Sequence, residues 1–353
     1  MNIVVYPYSA EQSYIKAYRE LFNYNIVRFM CCNGILPVNF ENCANEICTF
    51  NDYSEGRIQS GDFETFCIID KVPDENELYR IAEYMCSNGK DIICTEEEYL
   101  PQIRGICENY QVKLLEIDYE TVKIAEKNWN NTSDILNIDV PIVAVMVIGQ
   151  NVQKFNLQLY LRKNFINKGY KVSQIGTKKI SALYGFHSLP DFLFNNEYSD
   201  IDKVYALNRM IKNISIEEKP DVILLGIPDS IIALNNKHRF SFGLYAYEMF
   251  NAVQPDFVIT SLMANEDYND DFYAEISEMA KYKYNVNIDA YFVSQFCPIS
   301  NSVWSEKLTY GYLPHLKIPE SRYMVYSAED LKENSFFEQV ERKLLLYGKY
   351  EQY

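Results

Sequence analysis

Apolar and polar positions along the chain fall into two kinds of run. Short unbroken apolar runs recur at 2–6 (NIVVY), 26–31, 63–70 (FETFCIID), 91–95 (DIICT) and 112–117 (VKLLEI). Between them, at 11–23, 74–87 and 96–109, the apolar residues return at helical spacing, as with Tyr14, Ala17, Tyr18 and Leu21. Strands that do not alternate, separated by helices, predict a mostly parallel sheet covered on both faces. Asp74 sits where an N-cap belongs, and Asn88-Gly89 marks a helix stop. The pattern fits a small flavodoxin-like or Rossmann-like domain over 1–118. No G-x-G-x-x-G accompanies it, so the sequence indicates no dinucleotide site there.

A polar stretch over 119–140, with Asn128, Asn130, Asn131, Thr132, Ser133 and Asp134, reads as a helix followed by a linker. The same alternation then resumes over 141–353. Strands are expected at 142–148, 171–175, 221–225, 256–261 and 288–294, and helices at 154–168, 201–213, 241–253 and 269–284. A strand at 323–326 and an amphipathic helix over 328–346 close the chain. The expected fold class is α/β with two domains and mainly parallel sheets, the second domain resembling a degenerate P-loop NTPase. No internal repeat of 20–50 residues is visible.

The P-loop expectation comes from Pro141–Gly176. An apolar strand ends in Gly149, a polar loop with Lys154 follows, then a helix, then a second strand in GYKVSQIG. Phosphate-binding domains use this order. The motif G-x-x-x-x-G-K-[ST] itself is absent, because Gln153 and Phe155 flank the lysine instead of a glycine and a hydroxyl. A helix start still offers free N–H groups and a positive partial charge. Gly149, Asn151 and Lys154 are therefore candidates for binding an anion, and the cofactor the layout admits is a nucleotide. Asp229, past the strand in LLGIPDS, occupies the place of a Mg²⁺-holding acid, although an ordinary turn would also use an Asp there. His187, in GFHSLPDF, is one of three histidines and a candidate for metal binding or proton transfer, with structural packing as the alternative. The acids of MANEDYNDD (263–271) read as a solvated helix start capped by Asn269 or Asp270. No assembled nucleophile, base or metal set is visible, so the catalytic residues are unknown.

Charge and cysteine usage narrow the classes. The 353-residue chain carries a formal net charge of −16, which argues against a nucleic-acid partner. No apolar stretch approaches a membrane span, and the N-terminus reads as a first strand rather than a signal peptide, so a cytoplasmic protein is expected. Of nine cysteines, eight (Cys31, Cys32, Cys43, Cys48, Cys67, Cys86, Cys94 and Cys107) lie in the first half. No C-x-x-C occurs, and several sit in apolar strands. Reduced thiols without a disulfide or a structural metal are expected.

The run 148–194, together with DVILLGIPD and the initial IVVYPY, resembles a clostridial family of peptide maturation system proteins. Lys154-Phe155, Gly169 to Gly176 and Gly185-Phe186-His187-Ser188 carry the resemblance. Where that family has GIPGG, this chain has Gly226-Ile227-Pro228-Asp229-Ser230. The resemblance implies association with Cys-rich, ribosomally made peptides and a radical S-adenosylmethionine maturase. A precursor peptide or that maturase is then the expected partner. It carries over no catalytic residue. Two classes remain open: an accessory binding protein in peptide maturation, and a degenerate nucleotide-dependent enzyme.

Overall fold

The computed structural model describes residues 1–353 except 33–45, 59, 116, 118–133, 151, 307 and 347–353. Its chain forms two compact units, Met1–Tyr119 with Lys178–Phe186, and Glu120–Thr177 with His187–Tyr353. The segment 178–186, read from the sequence as part of the second domain, thus packs with the first. Most of the expected linker, like Cys43 and Asn151, lies outside the described residues.

The first unit is built on six strands: β1 Asn2–Tyr6, β2 Asn25–Cys31, β3 Ile47–Thr49, β4 Thr65–Ile68, β5 Asp91–Cys94 and β6 Leu114–Leu115. They lie in the order β3-β2-β1-β4-β5-β6, and every pairing is parallel. This is the Rossmann strand order, with its reversal point between β1 and β4. Helices α1 Ser13–Ala17, α2 Phe50–Ser54, α3 Glu75–Ser87 and α4 Leu100–Tyr110 connect them. Asp74 caps α3 through the N–H groups of Asn76 and Glu77, as its position predicted. The helix expected over 11–23 is broken. Tyr18 leaves helical geometry (φ −123°), and two short 3₁₀ turns flank a five-residue α1. Phe66, Ile68, Leu78, Ile81, Met85 and Ile103 are wholly buried in the core on one side of this sheet.

The second unit holds seven parallel strands: β7 Ile142–Ile148, β8 Val172–Gly176, β9 His187–Ser188, β10 Val222–Ser230, β11 Phe257–Leu262, β12 Ala290–Val293 and, last in the chain, β15 Val325–Ser327. Their order is β15-β12-β11-β7-β10-β8-β9. All seven residues of β7 are buried, as a central parallel strand requires. Two strands absent from the sequence reading, β13 Phe296–Pro298 and β14 Tyr310–Tyr312, form a separate antiparallel pair. The helices are α5 Lys154–Asn167, α6 Asp200–Glu218, α7 Leu244–Ala252, α8 Asp270–Tyr284 and α9 Ser335–Leu344. Asn269 caps α8 by accepting from the Phe272 N–H. The strand expected to stop at Gly226 continues to Ser230, with an irregularity in its pairing to β7 after Gly226. Neighbouring strands from β7 leave in opposite directions, β8 beyond β10 and β11 on the other side, so this sheet too reverses beside its central strand. In open α/β sheets, ligands bind beyond the carboxyl ends of the strands at such a reversal.

Candidate functional sites at two strand ends

In the second unit the reversal falls at the loop 149–154. Gly149 has φ +95°, and a Cβ there would lie 2.7 Å from Cγ and Sδ of Met263. The conformation favours glycine, and the flexible Met263 side chain would have to shift to admit a Cβ. Its N–H donates to Ser230 Oγ at 2.9 Å, and that hydroxyl donates in turn to the Ile232 carbonyl at 2.7 Å. Ser261 Oγ donates to the Val152 carbonyl. Gln153, left-handed at φ +55°, precedes the first residue of α5, and its Oε1 accepts the Gln295 N–H at 3.0 Å. Lys154 opens the helix, and its ammonium donates to the Ile227 carbonyl at 2.5 Å. Val152 and Phe155 are buried. The described residues of the loop are therefore held by β10, β11 and the segment after β12. A phosphate cradle instead needs several N–H groups converging on an open point.

The structure brings Gly149, Lys154 and the Asp229-Ser230 pair to the same end of β7 and β10. Asp229 takes a left-handed conformation (φ +59°), and its carboxylate accepts the N–H of Ser230 at 2.9 Å. His187 lies elsewhere, on the edge strand β9. It pairs with Glu218, which also accepts from Ser173 Oγ. The histidine contact is the largest influence holding the Glu218 carboxyl below its ordinary value. Glu218 ends α6 and Ser173 is the second residue of β8, so the carboxylate and hydroxyl that His187 joins lie towards the amino end of β8, away from Lys154. Asn151 lies outside the described residues.

The reversal in the first unit carries a group of polar side chains that the sequence reading did not single out. Asp70 follows β4, Ser9 and Gln12 follow β1, Thr95 and Glu96 follow β5, and Lys178 joins them from the 178–186 segment. Lys178 Nζ donates to Asp70 Oδ2 at 2.9 Å, and Gln12 Nε2 donates to the same oxygen at 3.2 Å. Ser9 Oγ donates to Gln12 Oε1 at 2.6 Å, and the Lys71 N–H donates to Asp70 Oδ1 at 2.9 Å. Burial works to raise the Asp70 pKa, but Lys178 and these hydrogen bonds outweigh it and hold the carboxyl below its usual range. Burial works to lower the Lys178 pKa, and Asp70, Tyr14 and Glu11 together raise it. Burial pushes the carboxyls of Glu11 and Glu96 up, and the Tyr14 hydroxyl up to about 12. The Lys178 side chain nevertheless remains 41% exposed, so this charged group is open to solvent. The signal available in the sequence was positional: Asp70, Ser9 and Glu96 each stand just past an apolar strand.

Seven of the described cysteines are buried, and Cys297 is half-buried. Burial pushes the thiols of Cys31, Cys48 and Cys94 up to about 12, away from reactivity. Among the described residues no group of three or more His, Cys, Asp or Glu is placed to hold a metal.

The architecture is that of a two-domain α/β protein, Rossmann-like in its first sheet and P-loop-like in its second. Among solved structures the chain is similar to a DUF1611 family protein from Anabaena variabilis ATCC 29413, at 9% identity and a TM-score of 0.52, covering 83% of this chain and 87% of that one. At that identity the likeness is one of fold alone. The chloroplast FtsY of Physcomitrella patens overlaps at 12% identity and a TM-score of 0.28, covering 62% of this chain and 71% of that one. The signal recognition particle receptor FtsY of Elizabethkingia anophelis overlaps at 13% and 0.27, covering 74% and 88%. These last two overlaps are too weak to bear on the fold or the site. No family model and no curated protein matches the chain. No helix among the described residues is long and apolar enough to cross a membrane.

Proposed function

We propose that this chain is an accessory protein in the maturation of a ribosomally made peptide. It holds the precursor peptide or its radical S-adenosylmethionine maturase and does not itself carry out the modification. The observation that supports a binding role over nucleotide chemistry is the engagement of Lys154. Its ammonium sits 2.5 Å from the Ile227 carbonyl, and Gln153 and Phe155 replace the residues that curl a loop round phosphates and reach Mg²⁺. The P-loop layout then serves as a scaffold. The peptide assignment itself rests on the sequence resemblance at 148–194.

Calorimetric titration of the full chain with ATP and GTP, with and without Mg²⁺, separates the two classes. Absence of heat at millimolar nucleotide is expected. Mg²⁺-dependent binding that Lys154→Ala weakens about ten- to a hundred-fold, the size of one charge-assisted contact, would establish the degenerate nucleotide-dependent enzyme instead. Co-expression with a Cys-rich precursor peptide should yield a co-purifying peptide of unchanged mass. A mass change produced by this chain alone would end the accessory reading.

A further inference from the structure

After β10 the chain runs from Ser230 to Tyr247 without one acidic residue, in a protein that has 49 Asp and Glu. The same stretch holds Lys237, His238 and Arg239. The next acid, Glu248, is fully buried, with Lys203 Nζ 3.6 Å away, and contributes no surface charge. Two other segments meet this one. Lys283, at the end of α8, donates to the Phe242 carbonyl at 2.6 Å. Lys237 Nζ donates to the Trp304 carbonyl at 3.3 Å, and Asn235 Nδ2 donates to the Val303 carbonyl at 3.0 Å. From Gln295 to Ser305 there is no charged residue either. Lys237, Arg239 and Lys283 thus meet on a chain of net charge −16, with exposed Glu306, just past Trp304, as the nearest acid in these segments.

Large apolar side chains stand out from the same surface. Trp304 is 73% exposed, Phe242 57% and Tyr247 48%, with Leu244 one helical turn before Tyr247. The Arg239 guanidinium lies 5.6 Å from the Phe242 ring centre. The backbone beneath them is unusual. Phe240, Ser241, Phe242 and Gly243 all have positive φ, at 49°, 51°, 54° and 76°. Three consecutive non-glycine residues in that region are disfavoured for L-amino acids. Lys283 holds the Phe242 carbonyl, and Gly243 has no room for a Cβ, which would run into the Tyr284 hydroxyl and lie 2.5 Å from the Ile231 carbonyl that this hydroxyl donates to. Strain of this kind is kept where surrounding structure imposes it, commonly at ligand-contacting segments.

We propose that the surface formed by Lys237, Arg239, Phe242, Leu244, Tyr247 and Trp304 docks an acidic peptide segment carrying an aromatic or aliphatic anchor. The basic groups complement the acids, and the exposed rings take the anchor, as aromatic and Arg side chains do at interface centres. A polyanionic nucleic acid fits less well. It extends beyond the patch into the field of an acidic protein, whereas a short peptide need cover only the basic face. The inference rests on the peptide-binding reading above and adds the place and the chemistry of the partner.

Fluorescence anisotropy on the full chain tests it with a labelled Glu-Asp-Leu-Glu-Phe-Leu-Glu peptide, its Lys-for-acid counterpart and a single-stranded oligonucleotide of similar length. The acidic peptide should bind, and more weakly as salt rises. The Lys237→Glu/Arg239→Glu double variant should weaken it about tenfold or more. Trp304→Ala, at an exposed position outside the core, should weaken it about fivefold. Equal binding of the basic peptide, tighter binding of the oligonucleotide, or unchanged affinity in both variants would overturn the proposal. Its fate is separable from that of the maturation role. A precursor captured equally by wild type and double variant removes this surface but keeps the role. Acidic-peptide binding with no capture of precursor or maturase does the reverse.

Discussion

Where β7 ends, a loop is closed on the protein's own main chain; where β1 and β4 end, charged side chains face one another in reach of water. Both places are sheet reversal points, the usual site of ligands in this architecture. At the first, Lys154 binds a carbonyl, Gln153 is held by the Gln295 N–H and Met263 covers Gly149. At the second, Asp70 gathers Lys178, Gln12 and the Lys71 N–H, and Lys178 stays 41% exposed. The contrast teaches that a local string resembling a motif and a convergence of polar groups are separate things. One is written in neighbouring residues. The other arises from residues as far apart as 70 and 178.

The largest expected effect tests the closed loop. Gly149→Ala places a Cβ against Met263 in a conformation L-residues avoid, and should destabilise the protein by about 3 kcal/mol, combining backbone strain with overpacking. Urea unfolding measures it. Because Met263 is flexible, the Gly149→Ala/Met263→Ala pair should show non-additive costs; strict additivity would mean that the two do not meet.

Next comes the open cluster. Asp70→Asn leaves the Lys178 ammonium without its carboxylate and should cost about 1–2 kcal/mol at pH 7, between the values for exposed and buried pairs. Asp70 has a folded pKa below its unfolded one. Its contribution is therefore present above the unfolded value of about 3.9 and lost as pH falls through the folded one. Glu11 and Glu96, raised by burial, act with the opposite sign, since stability falls as pH rises through their pKa range. The wild-type and Asp70→Asn unfolding curves should thus differ at neutral pH and draw together as pH falls below the unfolded value of about 3.9. Curves that stay parallel would place Asp70 outside the ion pair.

Lys154→Met comes third. If the lysine serves the scaffold, the variant should lose about 1–2 kcal/mol, the lower part of the range for a hydrogen bond to a charged donor because the side chain is only half-buried, with no change in nucleotide titration. A variant of unchanged stability would mean that the Ile227 contact does not support the fold. The smallest effect is expected for His187→Ala, within about 0.5 kcal/mol, since a partly exposed pair at the sheet edge contributes little. A larger loss, or altered partner capture, would give His187 a role that its position among Glu218 and Ser173 does not suggest.

The central strands were legible because burial on both faces leaves unbroken apolar runs, as at Ile3–Tyr6 and Ile142–Ile148. Helix ends marked by Asp74 and Asn269 were legible for the same local reason. The break at Tyr18 was not, because tyrosines at helical spacing look alike whether or not the backbone stays helical. The three-residue β3 is too short to leave a pattern. The candidate site was legible as far as the placement of Gly149, Lys154 and Asp229 at one strand end. It was illegible in its contacts, since Gln295 and Met263 are more than a hundred residues away. The Lys178 ammonium could not have been assigned to Asp70 at all, because nothing in the order of the chain shows that 178–186 leaves its neighbours.

The turn Phe240–Gly243 has one more consequence, which concerns chirality. Its backbone is a brief mirror image of ordinary helix, so its residues would be relaxed as D-amino acids and are tense as L-amino acids. Glycine is the one encoded residue indifferent to hand, yet the chain uses it only at the last of the four positions. Ser241→Gly should therefore raise stability by about 1 kcal/mol, read as a higher thermal midpoint. Phe240 and Phe242 would gain in the same way but lose their rings.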